Sequence, residues 1–153
     1  MNYVTTSPMT AREVLEVASN LLTEKYKRGD VFTSPEITRQ FLTDKLTHLE
    51  HEVFAVVFLD AQNRLIEYQE MFRGTIDGAA VYPREVVKEA LRLNAAAVIF
   101  AHNHPSGIPE PSQADRSITD RLSQALRLVD IRVVDHLVIG GQYSVSFAER
   151  GYL

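Results

Sequence analysis

The chain has 153 residues, 45% hydrophobic and 24% charged, a composition typical of a globular domain that excludes disordered, collagenous and coiled-coil chains. With a formal net charge of −4, the chain lacks the excess of basic residues that nucleic-acid-binding domains usually carry. Because cysteine is absent, disulfides, thiolate nucleophiles and cysteine-based zinc sites are excluded, and any bound metal must be held by histidine and carboxylate side chains.

The first 49 residues are predicted to form two helices. Helical spacing of apolar residues extends from Ser7, the expected N-cap, to Arg28, and Gly29 is expected to end that helix. A second helix is predicted to start at Ser34, with Pro35 in its first turn. The apolar stripe of the first helix consists of Val14, Leu15, Ala18, Leu21 and Leu22. We expect the two helices to pack as a cap on the residues that follow.

Residues 50–153 are predicted to alternate between strands and helices. The segment Glu52–Asp60 is apolar on both alternating faces, as in a strand covered on each side, and the turn residues after it predict a hairpin with Leu65–Phe72. The further elements are a helix at Pro83–Leu93, a strand at Ala95–Ala101, a helix at Ser112–Val129, and strands at Ile131–Gly140 and Gln142–Phe147.

The resulting order α-α-β-β-α-β-α-β-β predicts an α/β fold, a three-layer sandwich around one mixed sheet. We expect one domain over residues 1–153, in which residues 1–49 form the helical cap and residues 50–153 form the core. No apolar run reaches the ~18–20 residues of a membrane span, and the first ten residues lack the basic and apolar segments of a signal peptide. We therefore expect a cytoplasmic protein with no membrane partner.

The polar segment after the strand Ala95–Ala101 carries the reactive side chains. His102 and His104 are separated by one residue, so in an extended backbone their rings project on the same face and can bind one cation. Ser112 is the predicted N-cap of the next helix, and Asp115 in its first turn can point back toward the histidines. Two imidazoles and one carboxylate leave the fourth position of a tetrahedral zinc ion open, which is typical of catalytic sites.

A purely structural interpretation of these residues stays open. Ser112 and Asp115 have the spacing of a helix-capping pair, and two histidines beside a loop can be solvated turn residues. A metal site is favoured by the combination of two histidines at period two, a loop stiffened by three prolines, and a nearby carboxylate.

The segments His102–Gly107 and Pro111–Asp115 resemble the H-x-H-P-x-G and P-S-x-x-D motifs of RadC-type proteins, which belong to the JAB/MPN+ (JAMM) metalloprotease superfamily. The seven residues from Pro105 to Pro111 match the spacing of the superfamily motif. Further similar segments are Phe58–Asp60, Asn63–Leu65, Gly74–Asp77, Val81–Glu85, Asp135–His136 and Ser146–Phe147. The resemblance covers roughly residues 50 to 150 and implies the JAB/MPN, cytidine-deaminase-like architecture.

The resemblance also implies a zinc-dependent hydrolase of amide or isopeptide bonds in a protein or peptide substrate. His102, His104 and Asp115 would bind one Zn²⁺ per chain. Glu52 would act as general base and then general acid on the zinc-bound water, and the Ser112 hydroxyl would stabilise the oxyanion. Ser112 is not expected to be the nucleophile, because the nearby histidines would be occupied by the metal.

Three further residues outside the ligand set are assigned roles. Glu52 corresponds to the glutamate that precedes the histidines in the superfamily, and Glu67 and Glu70 are the alternatives. His136 lies between apolar neighbours of a predicted strand and is interpreted as a structural or supporting histidine, not as a ligand. Asn103 is expected to face away from the histidines and to brace the loop.

Residues 1–48 show no glycine-marked hairpin like the helix-hairpin-helix region of full-length RadC-type proteins, so we expect the short form with the JAB domain alone. This feature and the acidic charge weaken a direct role in DNA binding. Two other functions stay open: an accessory protein associated with DNA repair, and a JAB scaffold that binds a protein partner without catalysis. A zinc site of the cytosine-deaminase type is excluded because cysteine is absent.

Overall fold

The computed structural model describes residues 3–25, 34–74 and 81–153. Within these ranges the elements follow the predicted order. They are α1 (Ala11–Lys25), α2 (Pro35–Leu46), β1 (Val53–Leu59), β2 (Leu65–Arg73), α3 (Pro83–Arg92), β3 (Ala97–Asn103), α4 (Gln113–Arg127), β4 (Arg132–Gly140) and β5 (Tyr143–Ser146). The predicted end of the first helix at Arg28 and Gly29, and the motif segment at residues 75–77, lie outside the described residues. Over the described ranges, every helix is too short or too polar to cross a membrane.

Helix α1 begins later than predicted, because Thr10 and not Ser7 caps it. The Thr10 hydroxyl oxygen accepts the N–H of Glu13 at 3.2 Å, and the Thr10 N–H donates to the Glu13 carboxylate at 2.7 Å. This reciprocal pair satisfies two backbone donors that the start of a helix otherwise leaves unpaired. Ser7 cannot form the same pair, since the required position three residues later is occupied by Thr10 and not by a glutamate.

The apolar stripe of α1 is less buried than its helical spacing predicts. Val14 and Leu15 are 52% and 36% exposed. Helix α1 contacts α2, and α2 contacts β3 and β4. In α2, Phe41, Leu42 and Leu46 are fully buried. Of the two helices, α2 is therefore the one whose side chains enter the hydrophobic core on one face of the sheet.

The five strands form one mixed sheet in the order β2-β1-β3-β4-β5. Strand β1 pairs antiparallel with β2, as the predicted hairpin requires, and also antiparallel with β3. Strands β3 and β4 are parallel and are joined by α4, the crossover that a parallel pair needs. All residues of β1 and β3 are buried, as expected for strands covered on both faces.

Two hydrophobic cores lie on opposite faces of this sheet. On one face, Ala55 and Val57 belong to the core that includes Phe41 of α2. On the other face, the intervening Val56 joins the core that contains Leu122 of α4 and the buried residues of α3. The alternation arises because successive side chains of a strand point to opposite sides. The predicted three-layer α/β sandwich is confirmed.

Candidate metal centre

Strand β3 extends two residues beyond its predicted end and brings the histidines to the edge of the core. His102 is within the strand and 1% exposed. It follows Phe100 by two residues and so lies on the sheet face covered by α3 and α4. His104 comes directly after the strand, where its N–H donates to the carbonyl of Ile139 in β4 at 2.7 Å. Both rings therefore start from well-paired backbone.

The first turn of α4 places a carboxylate beside these rings. Ser112 caps the helix: its hydroxyl oxygen accepts the Asp115 N–H at 3.0 Å, and the Asp115 carboxylate accepts the Ser112 N–H at 2.8 Å. The same carboxylate lies 3.3 Å from His102 Nε2 through Oδ1 and 3.3 Å from His104 Nε2 through Oδ2. The capping pair is thus present, and it orients Asp115 toward the histidines.

The spacing of the three donor groups suits a divalent ion. The two Nε2 atoms of His102 and His104 are 3.0 Å apart. A tetrahedral zinc ion with bonds of ~2.0–2.1 Å to nitrogen needs about 3.3 Å between neighbouring donor atoms. The observed separations of 3.0, 3.3 and 3.3 Å are close to that value, with each imidazole nearest a different oxygen of Asp115. These three side chains form a group that could bind a metal ion.

The hydrogen bond on the far side of His104 determines which ring nitrogen faces the cluster. His104 Nδ1 lies 2.9 Å from the carbonyl oxygen of Ile108. A carbonyl can only accept, so Nδ1 carries the hydrogen and the neutral ring presents a lone pair at Nε2. That lone pair faces the Nε2 atom of His102, an arrangement that a shared metal ion or proton stabilises.

The electrostatics of the cluster depend mainly on Asp115. Burial by itself would raise the pKa of the Asp115 carboxyl, but the adjacent imidazoles of His102 and His104 outweigh burial and hold the pKa well below its usual range. The hydrogen bond with Asp115 in turn raises the pKa of His104. Without a bound cation, protonation of His104 is therefore more favourable beside Asp115 than in water.

Glu52 lies at the same edge of the sheet, immediately before β1, which starts one residue later than predicted. Phe54 pairs with His102 in the antiparallel register of β1 and β3. Glu52 precedes Phe54 by two residues and therefore lies at the end of β1 that is next to the histidines. Glu52 is partly buried, and its charge is one of the smaller causes of the raised pKa of His104.

The alternative carboxylates are engaged on the edge strand β2. Glu67 pairs across the sheet with Phe58, far along β1 from the histidines, and forms an ion pair with Arg92 at 3.5 Å. The Glu70 carboxylate accepts the Tyr68 hydroxyl at 2.9 Å. Of the three carboxylates, Glu52 is therefore the one whose charge acts on His104.

Sequence reasoning missed two groups that contact the histidines. One is the Ile108 carbonyl, for which no sequence signal exists, since every residue has a carbonyl. The other is Thr119, whose hydroxyl contacts His136 Nδ1 at 2.5 Å, while His136 Nε2 contacts His102 Nδ1 at 2.7 Å. The spacing of four residues between Asp115 and Thr119 on a predicted helix could have identified Thr119, because such residues share a face.

Together, the fold and the cluster define a class: an α/β sandwich with a candidate His-His-Asp metal centre at the end of its central strand. The sequence model of the RadC-like JAB domain matches residues 32–152. The chain belongs to the RadC-like JAB domain family, and the resemblance inferred from the motif is confirmed.

Relatives at high identity support this membership. A UPF0758 protein of Vibrio cholerae is 66% identical over 140 residues, which are 92% of this chain and 88% of that protein. UPF0758 proteins of Cellvibrio japonicus and Marinobacter nauticus are 64% and 61% identical over 92% and 91% of this chain. The chain spans 62% of the length of each of these two relatives. Their names state no reaction, so the chemistry must be inferred from the site.

Proposed function

We propose that this chain is a zinc-dependent hydrolase that cleaves amide or isopeptide bonds in a protein or peptide substrate. The observation that carries the proposal is the convergence of His102 Nε2, His104 Nε2 and the Asp115 carboxylate within 3.0–3.3 Å of one another. Three protein ligands leave a fourth position open, as in catalytic zinc sites. Membership of the RadC-like JAB domain family supports the same interpretation.

A zinc ion held by these three ligands would supply Lewis acidity, which polarises a carbonyl and acidifies water. Glu52, whose charge acts on His104, would accept the proton of the attacking water and return it to the leaving amine. Ser112 is exposed at the start of α4. Its hydroxyl oxygen accepts the Asp115 N–H, and its own hydrogen can donate to the oxyanion that develops on the substrate.

Elemental analysis of the purified protein tests the ligand assignment. We expect close to one zinc ion per chain, and none in His102→Ala or His104→Ala, because two remaining ligands hold zinc too weakly to survive purification. A matched control is His51→Ala, which removes an exposed histidine outside the cluster and should leave the zinc content unchanged. Zinc retained at full occupancy in both ligand variants would contradict the site.

Hydrolysis of a mixed-sequence peptide library tests the reaction. We expect the zinc-loaded protein to release new amino termini, and Glu52→Gln to slow this release ~10²–10⁴-fold with zinc content intact, the usual contribution of a general base. Glu67→Gln and Glu70→Gln serve as controls and should retain the rate. Loss of activity in one of these controls instead of Glu52→Gln would transfer the role to that residue. An inactive zinc-loaded protein would favour the scaffold function.

A further inference from the structure

A buried chain of hydrogen bonds runs behind the metal-ligand cluster. His102 Nδ1 contacts His136 Nε2 at 2.7 Å, and His136 Nδ1 contacts the Thr119 hydroxyl at 2.5 Å. The Thr119 hydroxyl also donates to the backbone carbonyl of Asp115 at 2.7 Å. The side chains of His136 and Thr119 are fully buried. The series therefore links one metal ligand to the backbone of another without passing through solvent.

Counting the available hydrogens shows which group donates and which accepts in each hydrogen bond of this series. The Thr119 hydroxyl has one hydrogen, and the Asp115 carbonyl can only accept it. Thr119 must then accept from His136, so the hydrogen of a neutral His136 ring is on Nδ1. His136 Nε2 is left as an acceptor and takes the hydrogen of His102 Nδ1. The remaining nitrogen of His102, Nε2, presents its lone pair to Asp115 and His104.

The surroundings of His136 favour this neutral, fixed ring. It stacks on Phe147 with ring centroids 4.5 Å apart, and it forms T-shaped contacts with Phe54 and Phe100, whose ring centroids lie 5.5 and 5.9 Å away. A charged imidazolium enclosed by phenyl rings would be strongly destabilised by desolvation. Both ring nitrogens have polar partners, and both partners belong to the series described above.

We propose that His136 and Thr119 are positioning residues that hold His102 in the tautomer whose Nε2 can bind a metal ion. The proposal rests on the proposed metal site and extends it to two residues that do not touch the metal. In the reverse direction, Thr119 would donate to His136, and His102 would carry its hydrogen on Nε2 and could bind a metal only after losing that hydrogen. The Asp115 carbonyl, by accepting from Thr119, decides between these two arrangements.

Asp115 thereby acts at both ends of the series. Its carboxylate lies beside His102 Nε2, and its backbone carbonyl accepts the hydrogen of the Thr119 hydroxyl. One residue of α4 therefore supplies a candidate metal ligand and also determines the tautomer of the adjacent ligand, His102. His104 receives the same kind of support from the Ile108 carbonyl in the adjacent loop. A hydrogen bond on the far nitrogen commonly fixes the orientation and tautomer of a metal-binding histidine.

The test compares Thr119→Val, which keeps the shape but removes the hydroxyl, with Thr119→Ser, which keeps the hydroxyl. ¹⁵N NMR of the metal-free protein reports the tautomer of His102, and competition with a chromogenic chelator reports the affinity for zinc. In Thr119→Val we expect His102 to move toward the Nε2–H tautomer and the zinc affinity to fall about 10–100-fold, the usual effect of losing such a partner. Thr119→Ser should match the unmodified chain in both measurements.

A second pair of variants keeps the test decisive if the valine substitution disturbs packing. His136→Phe should weaken zinc binding by a similar ~10–100-fold, and adding Thr119→Val to it should cause no further loss, because Thr119 acts through His136. The proposal is overturned if Thr119→Val leaves the His102 tautomer unchanged, if Thr119→Ser loses as much affinity as Thr119→Val, or if the two losses are additive. If the unmodified chain binds no zinc, the proposed function fails, while the NMR measurement still decides whether the series controls the tautomer.

Discussion

Asn103 and His102 are neighbours in one strand, and both are nearly inaccessible to solvent. The polar atoms of the two side chains nevertheless have very different partners. The Asn103 amide faces α2, where its oxygen accepts the Val53 N–H at 2.8 Å and its nitrogen donates to the His51 carbonyl at 3.0 Å. His102 faces α4, where its Nε2 meets a second imidazole nitrogen and a carboxylate. The first arrangement pairs donors with acceptors, whereas the second collects lone pairs around one point.

The difference separates a structural polar group from a candidate ligand. Burial of a polar side chain is tolerated when each donor finds an acceptor, and Asn103 meets this condition with backbone groups of the segment that leads into β1. A cluster of facing lone pairs is stable only with a proton or a cation among them. Burial alone would have assigned both residues the same role, and the chemistry of their partners distinguishes them.

Asn103→Ala gives the largest expected change in stability. It leaves the buried Val53 N–H without an acceptor and removes two further contacts, so we expect the free energy of unfolding to fall by about 2–4 kcal/mol, since each buried group left unpaired costs roughly 1–3 kcal/mol. Urea denaturation measures this loss. Zinc content should stay near one per chain, whereas His104→Ala should show the opposite pattern. Equal loss of zinc in both variants would remove the distinction between the two faces.

Gly140→Ala tests the loop that supports His104 from outside the strand. A Cβ atom at residue 140 would lie 2.6 Å from the backbone nitrogen of Pro109 and 2.8 Å from the carbonyl carbon of Ile108. The loop must therefore move, and with it the carbonyl that orients His104. We expect the zinc affinity, measured against a competing chelator, to fall about tenfold.

Gly151→Ala is the matched control for this substitution. Gly151 has a φ of +72°, but a Cβ there would have no neighbour within 4 Å. It should cost about 1 kcal/mol of stability through backbone strain and leave zinc binding unchanged. If Gly151→Ala weakened zinc binding as much as Gly140→Ala, the effect would be one of general stability and not of the loop.

The smallest expected effect is a pH dependence of the metal-free chain. The Asp115 carboxylate raises the pKa of His104, so the stability contributed by this pair is full below about pH 6.5 and is lost as the pH rises through the raised pKa. Burial lowers the pKa of His136, so the contribution of His136 is full above about pH 6.5 and is lost as the pH falls below 6.5 toward the lowered pKa. Above pH 6.5, the free energy of unfolding should therefore decrease with rising pH.

Urea denaturation in excess chelator across this pH range measures the effect. Asp115→Asn should flatten the decrease, because it removes the carboxylate that favours protonated His104. A stability that rises with pH in the unmodified chain, or an unchanged slope in Asp115→Asn, would show that Asp115 does not raise the pKa of His104.

Local patterns in the sequence were sufficient to predict the order of the helices and strands and to identify the candidate metal ligands. The period-two spacing of His102 and His104 and the capping spacing of Ser112 and Asp115 each depend on a few adjacent residues, whose geometry is set by strand and helix periodicity. The start of α1 was predicted wrongly because two capping residues compete within four positions. Local pattern cannot decide between them until their hydrogen-bond partners are compared, and Thr10 has the better partner.

The tertiary structure alone decided which distant residues meet the motif. Pairing of β1 with β3 brings Glu52, two residues before Phe54, to the end of the sheet that carries the histidines, and the packing of α4 on β4 brings Thr119 to His136. The exposure of Val14 likewise could not be predicted from helical spacing, since spacing predicts an apolar helix face but not whether another element covers that face. The sequence by itself determined the identity and local geometry of the candidate ligands. Only the fold determined their supporting partners, because those contacts join elements that no short-range periodicity relates.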